Sequence, residues 1–250
     1  MSGQFEGKVA LVTGGNSGIG KATAFAFARE GTKVAISARR EELGNEIAAG
    51  IKAAGGDAIF IRTDVSKAVE VEAMVNTTLE TYGRLDYAFN NAGRYGGRPL
   101  VDASEEEWDE FIDINLKGTW LCMKYEIPEM LKVGGGVIVN NSSVSAEGGW
   151  DGGSLYVASK HGINGLTKCA AIEYAKQGIR VNAVEPGIIE TPAWGEITPE
   201  HRVELNAKQP IPRMARADEV ADPVIWLCSE QSSYVTGVTL LVDGGMCARP

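Results

Sequence analysis

Tyr156 and Lys160 stand four residues apart, a spacing that puts both side chains on one face of a helix. A phenol with an ordinary pKa near 10 is a poor base at neutral pH. An ammonium beside it favours the phenolate and lowers that pKa. The two together form an acid/base couple suited to an alcohol O–H or a carbonyl oxygen. Ser143 follows a β-like run and can hydrogen-bond the same substrate oxygen. A Tyr-x-x-x-Lys pair also occurs on plain amphipathic helices with a surface lysine, so its companions decide its meaning.

The first companion is the run Thr13-Gly14-Gly15-Asn16-Ser17-Gly18-Ile19-Gly20. Its glycines allow a tight turn and a close backbone approach to a pyrophosphate. A helix opening there offers free N–H groups and a positive dipole end to the phosphates. Glycines serve unliganded turns as well, but this run sits between a strand and a helix, the context a dinucleotide site requires. The spacing is Gly-x-x-x-Gly-x-Gly, without the Lys-Ser/Thr ending of a P-loop, so nucleotide hydrolysis loses support.

Short β-branched runs alternate with helical patterns along the chain. Strands are expected at residues 9–12, 34–37, 58–62, 85–89, 136–140, 180–184 and 239–242. Helices are expected at 21–29, 41–54, 69–82 and 155–176, and another opens at the capping-box pair Ser104 and Glu107. This alternation implies parallel βαβ crossovers: a single-domain α/β fold over 1–250, a doubly wound parallel sheet of Rossmann type with helices on both faces. Ligands of such sheets bind outside the carboxyl ends of the strands, and the motifs above follow strands.

Composition narrows the function. The chain has 250 residues with 44% hydrophobic and 23% charged side chains, ordinary for a globular protein. The net charge of −9 and the lack of a basic stripe argue against nucleic-acid binding. No apolar run is long enough to cross a bilayer, and no basic segment followed by an apolar core opens the chain, so a cytoplasmic location without membrane association is expected. Cys122, Cys169, Cys228 and Cys247 form no CxxC pair. The first three lie in apolar helix-like stretches and are expected to pack as small hydrophobes. With only His161 and His201, a catalytic zinc is poorly supplied and no metal is expected.

Taken together, these residues resemble the short-chain dehydrogenase/reductase family over nearly the whole chain. The matches are the glycine turn, Asn90-Asn91-Ala92-Gly93, Asn115, Ser143, Tyr156-Val157-Ala158-Ser159-Lys160, Pro186-Gly187 and Val242-Asp243-Gly244-Gly245. The separation of thirteen between Ser143 and Tyr156 is the family's and selects Ser143 over Ser142. The resemblance implies a hydride transfer between a nicotinamide and a secondary alcohol or ketone carbon. Tyr156 would be the acid/base, Lys160 would bind the nicotinamide ribose and lower the Tyr156 pKa, and Ser143 would orient the substrate oxygen. Asn115 would hold, through its main chain, a water linking Lys160 to solvent. Gly14, Ser17, Gly18, Ile19 and Gly20 would line the pyrophosphate, and Asp64 and Val65 would meet the adenine. Asn91 and Gly93 would border the cofactor, although Asn91 equally suits a tie between strands. Pro186, Gly187, Ile189 and Thr191 would pass along the nicotinamide. Asp243-Gly244-Gly245 reads as a C-terminal turn.

The stretch 188–212 follows the sixth strand, where the family inserts a substrate-binding lid. Trp150 and Trp194 are expected to face the pocket, with Tyr95 and Val144 near its mouth; packing or a subunit contact is the plain alternative for either tryptophan. Apolar aromatic walls without a carboxylate-clamping arginine point to a small neutral alcohol or ketone. One rival is a 3-oxoacyl-carrier-protein reductase, but Gly134 and Gln177 stand where such enzymes place basic residues, and an acidic chain repels an acidic carrier. A non-catalytic dinucleotide sensor is the rival of another class; the intact Ser143, Tyr156, Lys160 and Asn115 argue against it.

A NAD-preferring site places an acid after the second strand, on the ribose 2′-OH. Here that position holds Ala38, followed by Arg39, where the family's NADP-dependent members often carry arginine. A guanidinium can fork onto a 2′-phosphate or stack on adenine. NADP(H) is therefore the expected cofactor and NAD(H) the alternative. Ser17 pulls the other way, because many NADP-preferring relatives carry a second basic residue near that position. Family members are commonly homotetramers built through two long helices, here about 105–131 and 155–176. The apolar Ile163, Leu166, Ala170 and Tyr174 of the second would suit such an interface or the sheet equally.

Overall fold

The computed structural model describes residues 3–248, so the first two and last two residues of the expected 1–250 domain lie outside the described residues. The seven strands are β1 (Val9–Thr13), β2 (Lys33–Ala38), β3 (Asp57–Arg62), β4 (Tyr87–Asn90), β5 (Gly136–Asn141), β6 (Ile179–Pro186) and β7 (Thr239–Val242). They form one sheet in the order β3-β2-β1-β4-β5-β6-β7, and every pairing is parallel. Every residue of β1 is buried, the continuous apolar run of a strand covered on both faces. In register, Val12 pairs with Ile36 on one side and Phe89 on the other. The order reverses between β1 and β4, which opens a crevice at their carboxyl ends.

Helices α1 (Gly18–Arg29) and α2 (Glu41–Ala53) cover one face of the sheet. Helix α3 (Ala68–Tyr82) covers the other. After β4 come α4 (Glu105–Phe111), a π-helical stretch (Ile112–Lys117) and α5 (Gly118–Lys132). The expected continuous helix of 105–131 is thus interrupted by a wider turn, although the Ser104/Glu107 capping box forms as read. Helix α6 (Ser154–Tyr174) follows β5, α7 (Pro199–Ala207) lies within 188–212, and α8 (Asp218–Cys228) precedes β7. Sequence reading did not place α8, because Pro223 in its interior reads as a breaker. Its apolar face, with Val220, Val224 and Leu227, packs into the same core as Phe27 and Ile36.

One side-chain expectation changes. Cys122 and Cys228 are buried, but Cys169 is exposed: α6 turns Thr167 and Ala170 inward and leaves Cys169 between them on the outer face. In the Ile163–Tyr174 stripe, Ile163 is fully buried, and Leu166, Ala170 and Tyr174 pack into the core beneath the sheet. Within the single chain that stripe packs against the sheet, with Leu166 and Tyr174 only partly buried. No helix among the described residues is long and apolar enough to cross a membrane.

Candidate active site

The turn between β1 and α1 shapes the first half of the site. Gly14 and Gly18 take φ of +63° and +52°, a region L side chains seldom enter. Ser17 is the N-cap of α1, yet its hydroxyl caps nothing in the helix, which leaves the first-turn N–H groups free for an anion. Instead the Arg40 guanidinium donates to Ser17 Oγ at 3.2 Å and to Asn16 Oδ1 at 3.4 Å, and Asn16 Nδ2 donates back to the Arg40 carbonyl at 3.3 Å. Gly14, Ser17, Gly18, Ile19, Arg39, Arg40, Asp64, Val65, Asn91 and Gly93 line one cavity of about 340 Å³, with Tyr156, Lys160 and Thr191 at its far end. An elongated dinucleotide fits these residues: bare backbone and a free helix end for phosphates, arginines at one end, the phenol and ammonium at the other.

Gly20 does not line this cavity. A Cβ there would lie 2.4 Å from the Gly14 carbonyl oxygen, so its role is the close approach of helix and turn. Burial raises the Asp64 carboxyl, but bonds from the Ser66 hydroxyl and amide and the charges of Arg39 and Lys67 outweigh it and hold the group below the usual range. Asn91 combines two placements. It lines the cavity, and its side chain donates to the Thr13 carbonyl at 3.0 Å and accepts from Asn141 Nδ2 at 2.9 Å, tying the ends of β1, β4 and β5 together.

Helix α6 presents Tyr156 and Lys160 on one face, as the spacing requires. Lys160 Nζ lies 5.5 Å from the Tyr156 ring centroid and donates to the Asn141 carbonyl at 2.6 Å. Burial pushes Lys160 down to about 7. It pushes Tyr156 up to about 12, against a hydrogen bond from Ser143 that works downward. Burial thus sets the direction for Tyr156 here, and the Lys160 ammonium is aimed at the Asn141 carbonyl rather than at the phenol. Ser143 caps the 3₁₀ turn Val144–Ala146, accepting from the Ser145 amide at 3.1 Å. Ser142 Oγ is directed to the Lys160 carbonyl at 3.3 Å, so it fastens β5 to α6.

Asn115 lies buried in the π-helical stretch, a geometry that recurs at functional sites. Its side chain bridges the Arg94 backbone and Ser159 Oγ, at 2.7 to 3.0 Å. Its carbonyl accepts from Thr119 Oγ at 2.7 Å. It lines neither of the two cavities described here. His161 is exposed, with Nδ1 3.0 Å from the Val157 carbonyl, and faces away from the site.

The second cavity, about 1040 Å³, is lined by Ser143, Val144, Trp150, Tyr156, Pro186, Gly187, Ile189, Trp194 and Tyr95. It shares Ile19, Tyr95, Asn141, Tyr156, Thr191 and Ala193 with the first, so the two meet at Tyr156. All four expected substrate residues converge here. The Tyr95 ring centroid is 5.3 Å from that of Tyr156, 5.2 Å from Trp194 and 6.1 Å from Trp150.

Sequence reading missed His201, Leu205 and Lys208 of the 188–212 stretch, and Met246 and Cys247 near the C-terminus. The Thr198 cap followed by Pro199 was the available signal for α7. Nothing in the spacing brings the C-terminal turn to the pocket. Asp243 builds that turn by accepting from the Gly245 and Cys247 amides at 2.9 and 2.7 Å.

Comparison with known proteins agrees with this geometry. The family model described as Enoyl-(Acyl carrier protein) reductase matches residues 14–247. The chain is 41% identical over 250 residues to cyclohexanol dehydrogenase of Acinetobacter sp. (strain SE19), covering 100% of this chain and 98% of that protein. It is 40% identical over 240 residues to the 3-oxoacyl-[acyl-carrier-protein] reductase FabG of Staphylococcus aureus (strain Mu50), covering 96% and 98%. The crystal structure of levodione reductase superposes with a TM-score of 0.94 at 35% identity, covering 98% of this chain and all of that one. With the sheet order, the Ser-Tyr-Lys constellation and these relatives in agreement, the chain belongs to the short-chain dehydrogenase/reductase family, and it is an NAD(P)-dependent oxidoreductase acting on alcohol and ketone carbons.

Proposed function

We propose that the chain interconverts a neutral cyclic secondary alcohol and its ketone, with NADP(H) as the preferred cofactor. The carrying observation is the meeting of Tyr95, Trp150 and Trp194 beside Tyr156 in one cavity. Aromatic faces favour a flat apolar body, and Ser143 and Tyr156 offer the polar contacts for one oxygen. Three relatives are named for ring substrates: cyclohexanol dehydrogenase, 2,5-dichloro-2,5-cyclohexadiene-1,4-diol dehydrogenase and levodione reductase.

The nicotinamide, when bound, gives or takes the hydride. Tyr156 passes the proton to or from the substrate oxygen, and Ser143 orients that oxygen. Lys160 would hold the nicotinamide ribose, and the Asn115 main chain would hold a water that returns the proton by way of Lys160. Gly14, Ser17, Gly18 and Ile19 would present backbone to the pyrophosphate, and Pro186, Gly187, Ile189 and Thr191 would hold the nicotinamide.

Arg39 lines the first cavity and would meet a 2′-phosphate there. Arg40 strengthens the NADP(H) reading, because its guanidinium reaches Ser17 and restores a basic group at the glycine turn. The absence of an acid at Ala38 supports the same choice. A cytoplasmic homotetramer completes the reading. Trp108 and Trp120 on one side and Trp226 and Tyr234 on another are exposed apolar surface of the kind that subunit contacts cover.

A 3-oxoacyl-carrier-protein reductase is the second reading, favoured by the 40% identity to FabG. The test is NAD(P)H oxidation with cyclic ketones beside an acetoacetyl thioester. Turnover of the cyclic ketones supports the first reading; turnover of the thioester alone overturns it.

A further inference from the structure

Three aromatic side chains meet beside the acid/base, and they are not held alike. Trp150 is fixed: its Nε1 donates to Ser145 Oγ at 3.1 Å. Its indole also packs so closely on Gly153 that a Cβ there would lie 2.4 Å from it. Trp194 is fixed as well, by a bond from Nε1 to the Ile189 carbonyl at 2.9 Å. Tyr95 makes no side-chain hydrogen bond among the described residues, and its ring is half exposed. Gly96 follows it at φ +148°, a conformation L side chains rarely adopt. The tethered rings come from two different segments, and the untethered ring stands between them, against Tyr156.

We infer that Tyr95 is a specificity-determining residue that selects ring-shaped over open-chain ketones, acting as the movable wall of a slot whose other walls are Trp150 and Trp194. This rests on the cyclic-ketone reading above and names the residue that enforces it. A ring offers a stiff, broad face to the tyrosine and loses little conformational freedom on binding. An open chain of equal carbon number must freeze several torsions to cover the same area. Tyr95 thus strengthens binding of the ring in the ground state and the transition state alike, so its contribution is read in KM. It touches no proton in the reaction and acts only on which carbon skeleton comes to rest beside Tyr156.

The experiment compares cyclohexanone with 2-hexanone as substrates of the full-length wild type, Tyr95→Ala and Tyr95→Phe. The ratio of kcat/KM for the cyclic over the open-chain ketone is expected to fall about tenfold in Tyr95→Ala, chiefly through KM. Tyr95→Phe, which restores the ring without the hydroxyl, is expected to recover most of that ratio. Equal losses for both ketones in Tyr95→Ala, or a loss confined to kcat, would overturn the assignment while leaving the cyclic-ketone activity standing. A wild type that turns over neither ketone would overturn the substrate reading and this inference with it. Binding of a reduced nicotinamide cofactor, followed by fluorescence, verifies that each variant is folded.

Discussion

Lys160 donates from Nζ to the main-chain oxygen of Asn141 at 2.6 Å, joining the middle of α6 to the end of β5. Asn141 in turn donates to Asn91 Oδ1 at 2.9 Å. Asn91 donates to the carbonyls of Thr13 and Gly14 at 3.0 and 3.3 Å. Two asparagines therefore place the lysine in fixed register with the glycine turn, across three strand ends. Pre-setting of this kind removes reorganisation from the reacting complex.

Tyr156→Phe removes the hydroxyl and keeps the ring. Turnover should fall by roughly 10²–10⁴-fold, the usual worth of positioned acid–base assistance. Cofactor affinity, measured by nicotinamide fluorescence, should remain near that of wild type. A Phe variant with wild-type kcat would remove Tyr156 from the proton transfer.

Arg39→Ala should weaken NADPH more than NADH, because only NADPH carries a 2′-phosphate. Loss of one charge-assisted bond of about 1.5–3 kcal/mol corresponds to roughly ten- to a hundredfold. Arg40→Ala should act in the same direction and also loosen the turn, since its partners are Asn16 and Ser17. Calorimetric titration with 2′,5′-ADP and 5′-AMP separates the phosphate contribution from turnover. A wild type that binds both nucleotides equally would contradict the preference.

Glu126 is fully buried on α5 and accepts from Asn90 Nδ2 at 3.1 Å. Burial pushes its carboxyl up from 4.5 to about 8 despite that bond. The folded chain keeps this proton as pH rises through the range in which the unfolded chain releases it. Its contribution to stability is whole below the unfolded pKa and is lost on the way up to about pH 8, with a slope of at most ~1.4 kcal/mol per pH unit. Glu126→Gln keeps the neutral shape. Denaturant unfolding at several pH values should show the variant gaining on wild type from about pH 5 to pH 8. Parallel curves would mean that Glu126 is charged in the fold.

Light scattering at micromolar concentration should give four times the chain mass. Charged substitutions at Trp120 or Trp226, both exposed in the single chain, should lower that mass by weakening one contact each. A wild type found only as monomer would refute the assembly.

Much of this molecule is legible in its residue order. Period and length alternation announced the parallel sheet, because a strand buried on both faces needs an apolar run and a crossover helix needs an apolar stripe. The glycine turn and the Ser143, Tyr156 and Lys160 set were legible because their chemistry depends on residue type and short spacing. What the order of residues could not carry is distance between remote segments. Only the folded chain brings Arg40 over Ser17, aims Lys160 at Asn141 rather than at the phenol, and gathers Tyr95, Trp150 and Trp194 from three loops. Desolvation is likewise a tertiary property: the direction in which Tyr156, Lys160 and Glu126 are pushed follows from what surrounds them, which no local spacing records. The residues thus named the reaction class, and the packing of loops above the sheet set the shape of the pocket in which it runs.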